Sequence, residues 1–227
     1  MAYYRHENKF IVTAGMLSIL EARLDAIIPR DMHAESGEGR QYRILSLYFD
    51  DAMLSCYHDN EGGFDRRVKW RIRIYDHSDA AIFLEKKSKL HGMTHKDRCI
   101  LTRDEADALI HGTGIRETGK ELLREFEALR GTKLFTPSVI TVYDRTPYIY
   151  DLGNVRITFD KNISSSVDFD SFFAERLAMR PVTAAGTHLL EVKYDEYLPS
   201  FIQQAIQMQG LFRTAFSKYY LCKKYSL

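Results

Sequence analysis

Arg67, Lys69, Arg71 and Arg73 occupy every second position of the segment RVKWRIRIYD, residues 67–76, with Val68, Trp70, Ile72 and Ile74 between them. A β-strand sends successive side chains to opposite faces, so this spacing predicts one apolar and one cationic face. Such a face can do chemistry. Guanidinium groups bind phosphate or carboxylate oxygens in pairs, and ammonium groups act on the same anions as point charges. For one strand, a solvent-washed side opposite a core-facing side explains the pattern well enough.

The parity recurs, however. Arg5, Glu7 and Lys9 share a face in residues 3–11, and Glu85 and Lys87 stand opposite Ile82 and Leu84 in 80–89. Lys96 and Arg98 share parity in 95–101, as do Tyr143 and Arg145 in 138–149. Arg156, Thr158 and Asp160 alternate with Val155, Ile157 and Phe159, and Glu191 and Lys193 alternate with Leu190, Val192 and Tyr194. Solvent faces usually mix Ser, Thr, Gln and Lys, whereas these are dominated by Arg and Lys. The apolar faces are long and aromatic, which suits an outer surface covered by helices. The charged faces would then line the inside of a barrel. Glu7, Glu85 and Glu191 supply too few carboxylates to neutralise such a wall, and uncompensated buried ions cost several kcal/mol each. The expected lumen is therefore wet and selective for a chain of phosphates, with the carboxylates available to hold Mg²⁺ or Mn²⁺ through oxygen.

The elements that must position these residues can be read from periodicity. Eight strand-like segments are expected at 3–11, 42–50, 66–76, 80–89, 95–101, 138–149, 154–162 and 187–195. DLGN, residues 151–154, is a turn signal that makes a hairpin of the sixth and seventh. Helices are expected after Thr13, with Leu17, Leu20, Leu24, Ile27 and Ile28 at helical spacing up to Pro29. Another opens on a Thr102–Glu105 capping box and closes at Gly112. Residues 118–130, 197–209 and the tail TAFSKYYLCKKY complete the helical set, and 31–41 and 112–119 read as loops. No linker or repeat divides the chain, so a single domain, 1–227, is expected, with an α+β architecture.

Composition narrows the class. The 227 residues are 45% hydrophobic and 28% charged, ordinary for a globular domain, and the net charge of +1 excludes a global field for polyanions. Three widely spaced cysteines without a C-x-x-C pair argue against a disulfide framework or thiolate zinc site and for a reducing cytoplasm. The start MAYYRHENKF lacks a signal-peptide core, and no stretch of about 18 apolar residues offers a membrane span.

These motifs, taken in order, resemble the VTC domain family of polyphosphate polymerases, within the triphosphate tunnel metalloenzyme (CYTH-like) superfamily. The resemblance rests on YRHENKF, LYFDD at 47–51, WRIRIY at 70–75, FLEKKSK at 83–89 and HKDR at 95–98. It continues through VYDRTPY at 142–148, VRITFD at 155–160, LLEVKYD at 189–195 and FSKYYLC at 216–222. It implies an eight-stranded antiparallel β-barrel, or tunnel, with helices packed outside. Carried over by position, it implies a phosphate-binding wall of Lys9, Arg71, Arg73, Lys87, Lys96, Arg98, Arg145, Arg156 and Lys218, with Tyr143 and Ser217 as neutral contacts. Arg71, Arg73, Arg145 and Glu191 would be catalytic; Glu191 would bind Mn²⁺ or Mg²⁺, with Glu7 and Glu85 at matching acidic strand positions. In one place the chain departs from the family: Ala215 replaces a lysine three residues before the SK lysine, with Arg213 nearby.

Three functions follow as expectations. The first is a cytoplasmic polyphosphate polymerase using the γ-phosphate of ATP. The second is an inorganic triphosphatase or nucleoside-triphosphate phosphohydrolase, and the third a non-catalytic polyphosphate-binding module. The partners implied are ATP or another triphosphate and polyphosphate, not nucleic acid, with any membrane partner a separate chain. Other residues have plainer roles: the histidines lack the i, i+4 pairing of a helical zinc site, Asp50 and Asp51 read as caps, and Trp70 reads as outer-wall core.

Overall fold

A computed structural model describes residues 6–31, 41–91, 93–115 and 118–226. Arg5 and most of the expected loop at 31–41 lie outside the described residues. The elements run β1 (His6–Thr13), α1 (Ala14–Asp25), β2 (Tyr42–Asp50), α2 (Ser55–Glu61), β3 (Arg67–Tyr75), β4 (Ser78–Leu90) and β5 (Met93–Leu101). Then come α3 (Arg103–His111), α4 (Glu121–Lys133), β6 (Thr136–Tyr150), β7 (Val155–Ser166), β8 (Arg180–Pro181), β9 (Thr187–Tyr194), α5 (Ser200–Ile206) and α6 (Lys218–Lys224). All eight expected strands form near their expected limits; the two-residue β8 is additional. The hydrogen-bonded order is β1-β9-β7-β6-β2-β3-β4-β5, with β8 on β7. The sheet is antiparallel and accompanied by helices, as expected for α+β, but the described strands do not close it into a hydrogen-bonded ring.

The chain packs as two compact units built from interleaved segments. One contains residues 1–43, 143–163 and 183–216; the other contains 44–142, 164–182 and 217–227. In the first, β1 pairs with β9 so that Lys9 faces Glu191 and Glu7 faces Lys193. β9 pairs with β7 so that Thr158 faces Glu191 and Arg156 faces Lys193. The alternate residues Val155, Ile157, Phe159, Leu190 and Val192 are buried with Leu17, Leu20 and Leu24 of α1 and Ile202 and Ile206 of α5. Slipping this register by one residue would exchange the two faces, so burial of the apolar set fixes where every charge points. α1 starts where the Thr13 hydroxyl accepts the Met16 amide at 3.3 Å. At the β6–β7 turn Gly153 has φ +78°, and a Cβ there would meet the Tyr197 carbonyl oxygen at 2.8 Å, so glycine is required.

The second unit repeats the principle. Phe49 faces Trp70 across β2 and β3, and the Phe126 ring of α4 lies 4.8 Å from Phe49 and 5.1 Å from Trp70, centroid to centroid. Trp70 is thus core, as expected. α3 has the capping box and the left-handed Gly112 that its sequence announced. α2 was not foreseen. Its start is set by Asp50, whose Oδ1 accepts the amides of Asp51 and Cys56, each at 2.9 Å, and whose Oδ2 accepts the Tyr57 amide at 3.1 Å and the Tyr219 hydroxyl. Asp50 is therefore a cap, as the sequence favoured. The tail helix is shorter than expected: Ser217 caps α6, and Arg213, back in the first unit, bridges Phe10 in extended backbone instead of riding a helix. The Lys9 carbonyl holds that backbone by accepting the Thr214 amide at 2.8 Å. Among the described residues no helix is long and apolar enough to cross a membrane.

Phe126 joins α4 to the sheet of the second unit. Phe126→Ala should destabilise the protein by about 3–5 kcal/mol, read as the shift in a urea unfolding midpoint.

Candidate functional site

In the second unit the polar faces of β2, β3 and β4 gather around Glu85, whose side chain is only 2% exposed. Register brings Tyr48 opposite Arg71 and Ser46 opposite Arg73, then Arg71 opposite Glu85 and Glu85 opposite Arg98. Arg71 donates from Nε and Nη2 to Glu85 Oε2 at 2.8 and 2.6 Å, and from Nη1 to the Tyr48 hydroxyl at 2.7 Å. Lys96 Nζ donates to Glu85 Oε1 at 3.1 Å. Arg73 donates to Ser46 at 3.1 Å and holds its Nη1 3.8 Å from Glu85. Burial by itself would raise the Glu85 pKa. Arg71, Arg73 and Lys96 overcome that and hold the carboxyl well below the usual range. Lys96 shows the other side of the same crowding: burial and the charges of Arg73 and Arg71 lower its pKa despite Glu85.

The first unit has its own cluster. Arg145 grips Asp160 with both arms of its fork, Nε to Oδ1 at 2.6 Å and Nη2 to Oδ2 at 2.8 Å, and Asp160 is fully buried. The Arg145 guanidinium also lies 3.7 Å from Glu191 and 5.3 Å above the Tyr143 ring. Burial opposes its charge, but Asp160 foremost, and Glu191 too, keep Arg145 firmly protonated. Lys9 Nζ stands 2.9 Å from Glu7 and 3.6 Å from Glu191, and Lys193 approaches Glu191 at 3.2 Å. Glu7 and Glu191 therefore converge on one point. Their hard oxygens fit Mg²⁺ or Mn²⁺, ions that take one or two carboxylates and complete their shell with water and phosphate. No cage of three or more His, Cys, Asp or Glu side chains exists among the described residues, so the remaining ligands would have to come from substrate and solvent.

The structure thus brings Arg71, Arg73, Lys96 and Glu85 together, and separately Lys9, Arg145, Glu7 and Glu191. Lys87 lies in register with Lys69 and Lys96, and Arg98 stacks over Phe83 at 5.1 Å. Arg156 turns to Asp31 and the Tyr42 hydroxyl, both at 3.2 Å. Ser217 accepts from Lys69 at 2.9 Å while capping α6, whose first residue is Lys218. The sequence did not single out Ser46, Tyr48 or the pairing of Asp160 to Arg145, and it placed Lys69 on the cationic face without assigning it to the phosphate-binding wall. The alternation of LSLYFD carries the first two, and Lys69 shares the parity of Arg71. The buried thiols are not candidate nucleophiles, because burial pushes Cys222 up to about 12 and Cys56 higher still.

Residues 4–226 match the family model of the VTC domain. The chain belongs to the VTC domain family. No curated protein sequence matches it. Among solved structures, this VTC domain is similar to HpAC1 of Hippeastrum, an assigned adenylyl cyclase with a dominant triphosphatase activity (14% identity, 99% of this chain and 97% of that one, TM-score 0.57). It is also similar to an assigned adenylate cyclase from Vibrio parahaemolyticus (9% identity, 97% and 98%, TM-score 0.51). A third, from Bacillus halodurans, has 13% identity over 90% and 87% of the chains at a TM-score of 0.50. At these identities the likeness is one of fold alone.

Glu85 yields a pH prediction. Its folded pKa lies below its unfolded one, so the unfolded chain takes up the proton first as pH falls. The stability contributed by Glu85 is complete above the unfolded value of about 4.3 and is lost below it. Wild type should therefore lose stability on acidification more steeply than Glu85→Gln, which starts lower at neutral pH; parallel pH profiles of urea midpoints would contradict this.

Proposed function

We propose that this VTC domain catalyses metal-dependent phosphoryl transfer, passing the γ-phosphate of ATP to a growing polyphosphate chain. The observation that carries the reading is the pair of pinned arginines, Arg71 on Glu85 and Arg145 on Asp160, each held on the polar face of a strand by a buried carboxylate. Phosphoryl transfer needs little covalent chemistry from a protein. It needs positioning and charge complementary to the spreading charge on the equatorial oxygens. Arg71 and Arg73 in the second unit, and Arg145 in the first, would each offer such charge from guanidinium groups whose orientation is fixed before substrate arrives. Lys9, Lys87, Lys96, Arg98, Arg156 and Lys218 neutralise the flanking phosphates, with Tyr143 and Ser217 as neutral contacts. A terminal oxygen of the acceptor chain forms the new P–O bond as the β–γ bridging bond breaks and ADP leaves.

Glu191, assisted by Glu7, would hold Mg²⁺ or Mn²⁺, which supplies further neutralisation of phosphate oxygens when bound. Glu85 fits a positioning role better than ligation, since its two oxygens already receive Arg71 and Lys96. Hydrolysis is the second reading, with water as acceptor. It is favoured by the exposed Ala215, which offers no cation to an incoming chain, and by the triphosphatase activity of the Hippeastrum protein of similar fold.

Incubation with ATP and Mn²⁺, followed by gel analysis of phosphate chains and assay of free phosphate, separates the readings. Long chains support polymerisation, and free phosphate alone supports hydrolysis. Arg71→Ala should lower turnover tenfold or more, because a charge-assisted hydrogen bond contributes about 1.5–3 kcal/mol. Glu191→Gln should abolish turnover with the fold retained by circular dichroism; unchanged rates would remove it from the mechanism.

A further inference from the structure

We propose that the Thr158 hydroxyl is a further oxygen ligand of the divalent cation that Glu191 would hold, buried beside it at a cost to stability. The inference rests on the metal reading above and adds a residue to it.

Register places Thr158 next to that carboxylate. Across β1, β9 and β7, one row of the polar face runs Lys9, Glu191, Thr158. Side chains directly opposite on neighbouring strands share a face, with Cβ atoms about 5 Å apart. Along β7, Thr158 alternates with the core residues Ile157 and Phe159 and shares its face with Arg156 and Asp160. Thr158 is 2% exposed, and its Oγ1 finds no hydrogen-bond partner among the described residues. A hydroxyl has one proton to give and two lone pairs to offer, and burying it unmatched destabilises a fold. Strand propensity accounts for a branched side chain here but not for its oxygen, since valine has the same shape and buries no polar atom. Thr146 also buries an unmatched hydroxyl, but it follows Arg145 along β6 and so lies on the opposite face. Thr141, the third such threonine, belongs to the second unit.

The surroundings of Glu191 indicate what the oxygen is for. Lys9 lies 3.6 Å from Oε1, and Lys193 and Arg145 lie 3.2 and 3.7 Å from Oε2. All three are donors without an acceptor atom, and their charge repels a metal ion. Of the two register neighbours of Glu191, Thr158 is the one that offers a neutral oxygen. Mg²⁺ and Mn²⁺ favour hard oxygens of this kind, and serine or threonine hydroxyls ligate Mg²⁺ beside phosphates in nucleotide-binding loops. A hydroxyl adds no negative charge, so more of the ion's charge is left for phosphate oxygens. The three nearby cations also mean that the ion should arrive together with an anion.

The test is calorimetric titration of the full chain with tripolyphosphate, once in EDTA and once with Mn²⁺. Wild type should bind more tightly with Mn²⁺. Thr158→Val should lose about tenfold or more of that metal-dependent gain, while Thr158→Ser keeps it. In EDTA Thr158→Val should bind as wild type does, with a urea midpoint equal to or above that of wild type. A full gain in Thr158→Val overturns the inference. So does an equal loss in EDTA, which would make the hydroxyl a structural group or a direct phosphate contact. Should Thr158→Val not fold, Thr158→Ala is read in the same way. Wild type that gains nothing from Mn²⁺ would instead overturn the metal reading, and wild type that binds under neither condition would overturn the phosphate reading.

Discussion

A carboxylate taken out of water stays ionised only when cations meet it, and two such meetings organise the polar faces of this VTC domain. Glu85 is enclosed by Arg71, Arg73 and Lys96, and Asp160 is enclosed in the fork of Arg145. Each arrangement works in both directions. The carboxylate escapes the several-kcal/mol penalty of an isolated buried ion, and the guanidinium is held at one angle without sampling rotamers. Arginines fixed in this way would lose little further entropy on meeting an anion.

Strand alternation makes these meetings possible. The apolar residues that interleave with the charges are buried against α1 and α5 in one unit and against Phe126 of α4 in the other, which sets the register and hence the direction of every charge. The two units distribute charge differently. In the first, cations and carboxylates are matched around Lys9, Arg145 and Glu191. In the second, Arg71, Arg73 and Lys96 crowd around Glu85, and burial first, then the charges of Arg73 and Arg71, lowers the Lys96 pKa.

The strands were legible because their faces are so different: RVKWRIRIYD and LLEVKYD could hardly be placed otherwise, and β2 runs over the expected 42–50. Trp70 and Asp50 took the plain roles their contexts favoured. Less was legible where structure depends on distant partners. The opening amides of α2 are met by Asp50, whose carboxylate is completed by Tyr219, far along the chain. Arg213 belongs to an extended bridge because the Lys9 carbonyl holds the backbone beside it, and no local periodicity announces that. Parity placed Asp160 on the charged face but could not tell that Arg145 would claim both of its oxygens.

On the proposed function, the carboxylate-pinned arginines of the strand faces receive phosphate. The most direct measurement is the thermal unfolding of wild type and Arg71→Gln with and without tripolyphosphate, since a ligand that binds only the folded state raises its melting temperature. Wild type should show a concentration-dependent rise that is largely lost in Arg71→Gln. Equal rises in both proteins, or none in wild type, would contradict it.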